Sequence, residues 1–159
     1  MDRAPEKTVR RFSEAELMPA YLDSMRRDGS VTVPVSGTSM NPFLGHLRDT
    51  VTLVPTGERR LRRGDIALYV RRSGGLEKYV MHRVVGIKQG KYSFCGDAQT
   101  TPDRGVEREN ILAVAVSACR RGKSIGEKSP VWLFYRHIWR VLRPMRPFLL
   151  RVFGGKDRN

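Results

Sequence analysis

The chain has 159 residues and a mass of 18.1 kDa, 40% of them apolar and 29% charged, which suits one globular domain with a short appendage and excludes a disordered chain. Thirty basic against sixteen acidic side chains give a net charge of +14, pointing to an anionic partner such as nucleic acid, a membrane surface or an acidic protein. Two cysteines, Cys95 and Cys119, form no CxxC pair and have no metal-ligand spacing with His46, His82 or His137, so reduced thiols are expected and no zinc site.

Met1 to Phe12 is polar and carries no apolar secretory core, and no run of about 18 uncharged apolar residues is present to span a bilayer. A cytoplasmic location is the expectation, with peripheral contact at the inner face of a membrane.

Residues 1–29 read as a helical arm. Ser13 and Glu16 have capping-box spacing, Leu17, Tyr21, Leu22 and Met25 follow at helical intervals, and Gly29 is the expected stop. Pro19 argues for a start nearer Glu16 or for a break.

From Val31 the pattern turns to short β-rich runs at 31–35, 50–54, 66–70, 79–85, 91–94 and 111–116, most of them separated by Gly, Pro, Asp or Asn. Ser73-Gly74-Gly75 and Gln89-Gly90 read as hairpin turns. A mainly β domain over residues 30–126 is predicted, an antiparallel and partly open barrel-like sheet with helices on both flanks.

Three groups in that domain could carry chemistry. Ser39, in Gly37-Thr38-Ser39-Met40-Asn41-Pro42-Phe43, stands where a strand gives way to a turn, which can lift a hydroxyl clear of the sheet and leave backbone N–H groups free. His82 lies in Tyr79-Val-Met-His-Arg-Val-Val85, where alternation puts Val80, His82 and Val84 on one face with Lys78 in register. A histidine among inward valines is costly unless paired, and its near-neutral pKa suits proton transfer from serine. Gly96-Asp97, with Asp103 beyond it, offers an acid to orient the imidazole. A polar turn, a satisfied core histidine and ordinary Asp-Gly turn chemistry would account for each group singly.

Taken in order, Gly37-Thr-Ser-Met-Asn-Pro42, Arg63-Gly-Asp65, His82-Arg-Val-Val-Gly86 and Gly96-Asp97 followed by Asp103 resemble the type I signal peptidase and SOS-repressor (LexA-like) superfamily across residues 30–120. The resemblance implies a mostly β serine peptidase with Ser39 as nucleophile. Where most bacterial members have a lysine base this chain has His82, as in the branch that pairs serine with histidine. Asp97 and Asp103 match the acids of that branch, with Asp97 ranked first because the distance of Asp103 from the Gly-Asp motif is less constrained. Met40, Pro42 and Gly37 are the expected substrate-binding positions, and oxyanion stabilisation falls chiefly to the Ser39 N–H. Arg63-Gly64-Asp65 is expected to set a turn before a strand, and Lys78 lies four residues off the motif. No metal or organic cofactor is implied. The expected substrate is an extended signal- or leader-like peptide.

Two alternatives accompany that expectation: a catalytically silent module that holds peptides or a partner, and a self-cleaving regulator of the SOS-repressor type. The second needs an Ala-Gly or Cys-Gly bond in an N-terminal arm, and residues 1–30 contain neither.

Residues 127–159 form a basic amphipathic segment, in which residues 130–159 hold seven basic side chains and one acidic. At about 100° per residue, Arg136, Arg140, Arg143 and Arg151 share a sector with Arg146 outside it, opposite an arc of Trp132, Tyr135, Ile138, Trp139, Leu142, Leu149 and Val152. Five arginines exclude a membrane span, whereas a helix lying in an anionic interface fits the pattern. A helix packed on the core with solvated arginines fits it too. Pro144 and Pro147 are expected to bend or split the helix, and no nucleic-acid-binding motif accompanies the charge.

Overall fold

A computed structural model describes residues 14–153. It opens with helix α1 (Glu14–Asp28), and then strands β1 (Val31–Pro34), β2 (Thr50–Pro55), β3 (Ile66–Ser73), β4 (Leu76–Lys88) and β5 (Lys91–Cys95) follow. β6 (Asp103–Val106), β7 (Ile111–Arg120) and β8 (Lys123–Gly126) complete the β region. The C-terminal segment runs from α2 (Pro130–Phe134) through a π-helical turn (Tyr135–Trp139) and a 3-10 turn (Arg143–Met145) into α3 (Arg146–Phe153).

The strands form one antiparallel sheet in the order β1-β2-β7-β3-β4-β5-β6, with β8 added to the second half of β7. Its two end strands, β1 and β6, do not meet, so the sheet is open rather than closed into a barrel. All six expected strands are present. β3 and β4 run further than expected, as a hairpin through Gly74-Gly75 whose outer rungs pair Arg71 with Lys78 and Arg72 with Glu77. Charged outer rungs hide that extension from a hydrophobic pattern.

Alternation on β3 divides the core in two. Ile66 and Leu68 face a cluster with Met18, Met25, Val33, Val35, Met40, Phe43, Leu44, Val51, Leu53 and Trp132. Ala67 and Tyr69 face the other way, into a cluster with Leu61, Val84, Tyr92, Phe94, Ile111 and Val114. Helix α1 contributes Met18 and Met25 to the first cluster and keeps Pro19 inside it without ending there. The expected cap at Ser13 lies outside the described residues.

The C-terminal segment is fastened to this sheet. Trp132 is fully buried and meets Phe43 edge to face at 5.4 Å, and Tyr135 lies 4.7 Å from the same ring. Truncating an aromatic at such a site typically costs about 3–5 kcal/mol. Two arginines of this segment also turn inward, which the helical wheel does not anticipate. Arg136 pairs with Asp65 at 2.5 Å and Glu127 at 3.0 Å. Arg146, fully buried, donates to the carbonyls of Gly96 and Gln99, both at 2.8 Å, and of Trp139 at 3.1 Å. The single solvated arginine face therefore does not form. Among the described residues, no helix is long and apolar enough to cross a membrane.

Candidate active site

Ser39 stands in the turn between β1 and β2, and that turn is tied down at its base. Val35 N–H donates to Asp49 O at 2.9 Å and Leu47 N–H to Val35 O at 2.8 Å. The Asp49 carboxylate, buried, accepts from Gly45 N–H at 2.7 Å, Arg121 N–H at 2.9 Å and the Arg48 guanidinium at 2.8 Å. Burial works against its charge, yet these donors hold the carboxyl below its ordinary value. The peptide bond between Asn41 and Pro42 is cis, and Arg120 fixes the far side of the turn by donating to Phe43 O at 2.6 Å.

The nucleophile candidate is pinned through its own backbone. Ser39 O accepts from Ala98 N–H at 2.8 Å. Gly96 lies so close that a Cβ there would fall 2.5 Å from Ser39 O and 3.1 Å from its carbonyl carbon. Both are backbone atoms, so only glycine allows the approach. That is the physical reason for a glycine before Asp97. Ser39 N–H has no backbone acceptor among the described residues.

Beside Ser39 is a cavity of about 110 Å³, lined by Met18, Val33, Pro34, Ser36, Met40, Leu53, Leu68 and the β4 residues Tyr79, Val80 and Met81. It is small, and its surface is mixed, with Ser36 and Ser39 beside apolar side chains. Of the three expected substrate-binding positions, Met40 lines this cavity from within the core. Gly37 and Pro42 do not line it: Gly37 is exposed, its N–H donating to His46 Nδ1 at 2.9 Å, and the Pro42 carbonyl accepts from Arg120 at 3.2 Å.

His82 is 4% exposed and projects from the Val80 and Val84 face of β4, toward the second core cluster. Its Nδ1 lies 3.2 Å from the Tyr69 hydroxyl and 4.0 Å from Asp103 Oδ2. The Tyr69 hydroxyl donates to Asp103 Oδ2 at 2.5 Å. A phenol has one proton. With that proton given to Asp103, the Tyr69 oxygen can only accept from His82, so Nδ1 carries hydrogen and Nε2 presents its lone pair. Burial pushes the imidazole down from 6.5 to about 4, against the upward pull of the Asp103 carboxylate. Burial and the same carboxylate raise the Tyr69 phenol far above its ordinary value, so it stays protonated. Arg71 completes the group at 3.3 Å from Asp103.

The order expected for the two acids is reversed in space. Asp97, fully buried, gives both oxygens to Arg83, at 2.9 Å from Nε and 2.7 Å from Nη2. Arg83 in turn donates to Gly64 O at 2.9 Å and lies 5.2 Å from the centre of the Phe43 ring. Trp139 Nε1–H fixes the Asp97 carbonyl at 2.8 Å. Asp97 thus locks its loop, and Asp103 is the acid beside the imidazole. The Arg63-Gly64-Asp65 turn is part of the same frame: Gly64, at a φ of 93°, has no room for a Cβ against the Arg136 backbone, and Asp65 accepts from Arg62 N–H at 2.8 Å. Lys78 is exposed on the hairpin, opposite Arg71.

Ser39 and His82 are brought to the same stretch of β4 without a hydrogen bond between them. Tyr79, Val80 and Met81 line the Ser39 cavity and His82, two residues along the Val80 face, does not. No hydrogen bond joins Ser39 Oγ to either ring nitrogen among the described residues. Sequence reasoning missed Tyr69 and Arg71. The available signal was register, since Tyr69 shares the Ala67 face, opposite His82 across β3 and β4. Cys95 and Cys119 are free thiols, and among the described residues no cluster of His, Cys, Asp and Glu could hold a metal. Comparison with family models, with curated proteins and with solved structures finds no match to this chain.

Proposed function

We propose that the protein is a serine endopeptidase of the type I signal peptidase kind, cutting a signal- or leader-like peptide through an acyl-enzyme on Ser39. The observation that carries this is the state of His82: buried, neutral, with Nδ1–H engaged by the Tyr69–Asp103 pair and Nε2 left as a lone pair. That is what a general base for a serine hydroxyl requires.

In this mechanism the peptide lies extended beside β4 and places a small aliphatic side chain in the cavity next to Ser39. Ser39 Oγ turns toward Nε2, gives up its proton and attacks the scissile carbonyl. The oxyanion takes the Ser39 N–H, and Asp103 stabilises the imidazolium through Tyr69. His82 then returns the proton to the leaving amine, and water, activated by the same nitrogen, releases the acyl group. Catalytic hydrogen bonds are often long or unformed before substrate binds, so an open Ser39–His82 pair is compatible with this sequence of events.

The same open pair favours a second reading, a catalytically silent module that holds peptides in the Ser39 cavity. The two are separated by incubating wild type, Ser39→Ala and His82→Ala with a library of unfolded peptides and identifying products by mass spectrometry. A peptidase cuts as wild type and loses at least about a hundredfold in each variant. Equal cutting by Ser39→Ala removes the nucleophile assignment, and binding without cutting selects the silent module.

A further inference from the structure

The C-terminal segment has two apolar faces, and the core uses one of them. Trp132, Trp139 and Arg146 are buried, seven residues apart, against the sheet and the 96–99 loop. Phe134, Ile138, Val141, Met145, Phe148 and Val152 recur at alternating steps of four and three, and all six are 39% to 66% exposed. With Val131 and Leu133, 38% and 39% exposed, they give the segment an outward apolar surface, spaced as a stripe would be on a regular helix. This stripe is not the arc that the helical wheel suggests, because Trp132 and Trp139 of that arc are spent on the core. Six large apolar side chains in one exposed row are more than scattered surface hydrophobes, and they call for a partner.

We propose that this stripe docks on an anionic lipid bilayer, lying in its interface. Charge chooses the occupant. Residues 130–153 contain five arginines and no acidic residue. Arg136 and Arg146 are committed inward, while Arg151 is exposed and Arg140 and Arg143 are half-buried beside the stripe. A second copy packed stripe to stripe would bring arginine against arginine with no acid to offset them, and heptad pairing needs opposite charges along its flanks. The prolines and the π and 3-10 turns also break the regular helix that such pairing needs. A nucleic acid would leave the apolar row unused. An interface with acidic headgroups above and acyl chains below satisfies both sets of side chains. Docking would hold the 96–99 loop, clamped under the same segment by Arg146 and Trp139, within about one helix diameter (~10 Å) of the bilayer.

The test is co-sedimentation of the full chain with vesicles of phosphatidylcholine, with and without phosphatidylglycerol. Wild type should partition onto the mixed vesicles and far less onto phosphatidylcholine alone. Ile138→Ser/Phe148→Ser changes exposed side chains only and should lower partitioning at least about tenfold with an unchanged circular dichroism spectrum. Arg140→Gln/Arg151→Gln should remove the preference for the acidic lipid, and serves should the first variant fail to fold. Ser39→Ala must partition like wild type, since this inference stands apart from the peptidase chemistry. Equal partitioning by the serine double variant, no preference for the acidic lipid, or no partitioning at all would overturn the proposal. So would a dimer in sedimentation equilibrium that the serine substitutions dissociate while vesicles stay unbound.

Discussion

Asp103 and His82 approach to 4.0 Å without a direct hydrogen bond, because the Tyr69 hydroxyl stands between them and bonds to both. A phenol interposed between imidazole and carboxylate still fixes the tautomer, but it makes the acid act at one remove. Tyr69→Phe should then lower kcat/KM by about tenfold to a hundredfold while Ser39 and His82 stay in place. The distinguishing readout is the nitrogen NMR signature of His82. The Nδ1–H form should dominate in wild type and give way to a mixture in the variant; an unchanged tautomer would remove Tyr69 from the positioning role.

The depressed His82 value makes a prediction for pH. The folded group titrates near 4 against 6.5 in the unfolded chain, so the unfolded state binds more protons between those values. Stability is therefore fully present above about pH 6.5 and falls as pH drops toward 4, by about 3 kcal/mol. Asp49, whose carboxyl is held below its ordinary 3.8, adds a second loss at still lower pH. Urea titrations across pH should show the first step in wild type and not in His82→Gln. If His82 is the base of the proposed peptidase, the acid limb of kcat/KM should likewise sit near pH 4.

Asp97 and Asp103 should separate cleanly under substitution. Asp97→Asn leaves the fully buried Arg83 without its bidentate partner and should cost about 3–5 kcal/mol. Asp103→Asn, at a partly exposed site also served by Arg71, should cost far less stability yet reduce turnover more strongly than it shifts the urea midpoint. If Asp103→Asn cut peptides normally, the acid would have no part in the chemistry.

Gly96→Ala tests the seat of Ser39, the proposed nucleophile. Its methyl group would meet the Ser39 carbonyl at 2.5 Å, so one of two backbone segments must move. A loss of about 1–3 kcal/mol is expected from such overpacking, with a larger drop in kcat than in substrate affinity. Retention of full activity would show that the Ser39 turn yields without consequence.

Much of the sheet was legible because β-branched runs such as Thr50–Val54 and Ile111–Val116 stand between turn residues. β6 and β8 were not, since Asp103–Val106 and Lys123–Gly126 mix charges with glycine and become strands only by pairing with β5 and β7. In the candidate site, the ordered motifs of the resemblance single out Ser39 and His82 as candidates, whereas which acid stands beside His82, Asp97 or Asp103, could not be read from them. That choice is made by Arg83, which takes one acid, and by Tyr69, which reaches the other. Likewise a segment with apolar residues on most of its circumference does not announce which side faces inward; Trp132, Trp139 and Arg146 decide it by fitting Phe43 and the carbonyls of the 96–99 loop.

Those carbonyls carry a consequence for how the protein can be divided. A chain ended after Gly126 would keep Ser39, His82, Tyr69 and both acids, and every strand of the sheet. It would nevertheless strip three inward donors from Gly96, Asp97 and Gln99 and open the space that Trp132 fills beside Phe43. The 96–99 loop would lose that clamp, and the same loop holds Ser39 O through Ala98. Residues 130–146 are thus part of the packed unit, and a chain ended after Gly126 should unfold at lower urea than the full one.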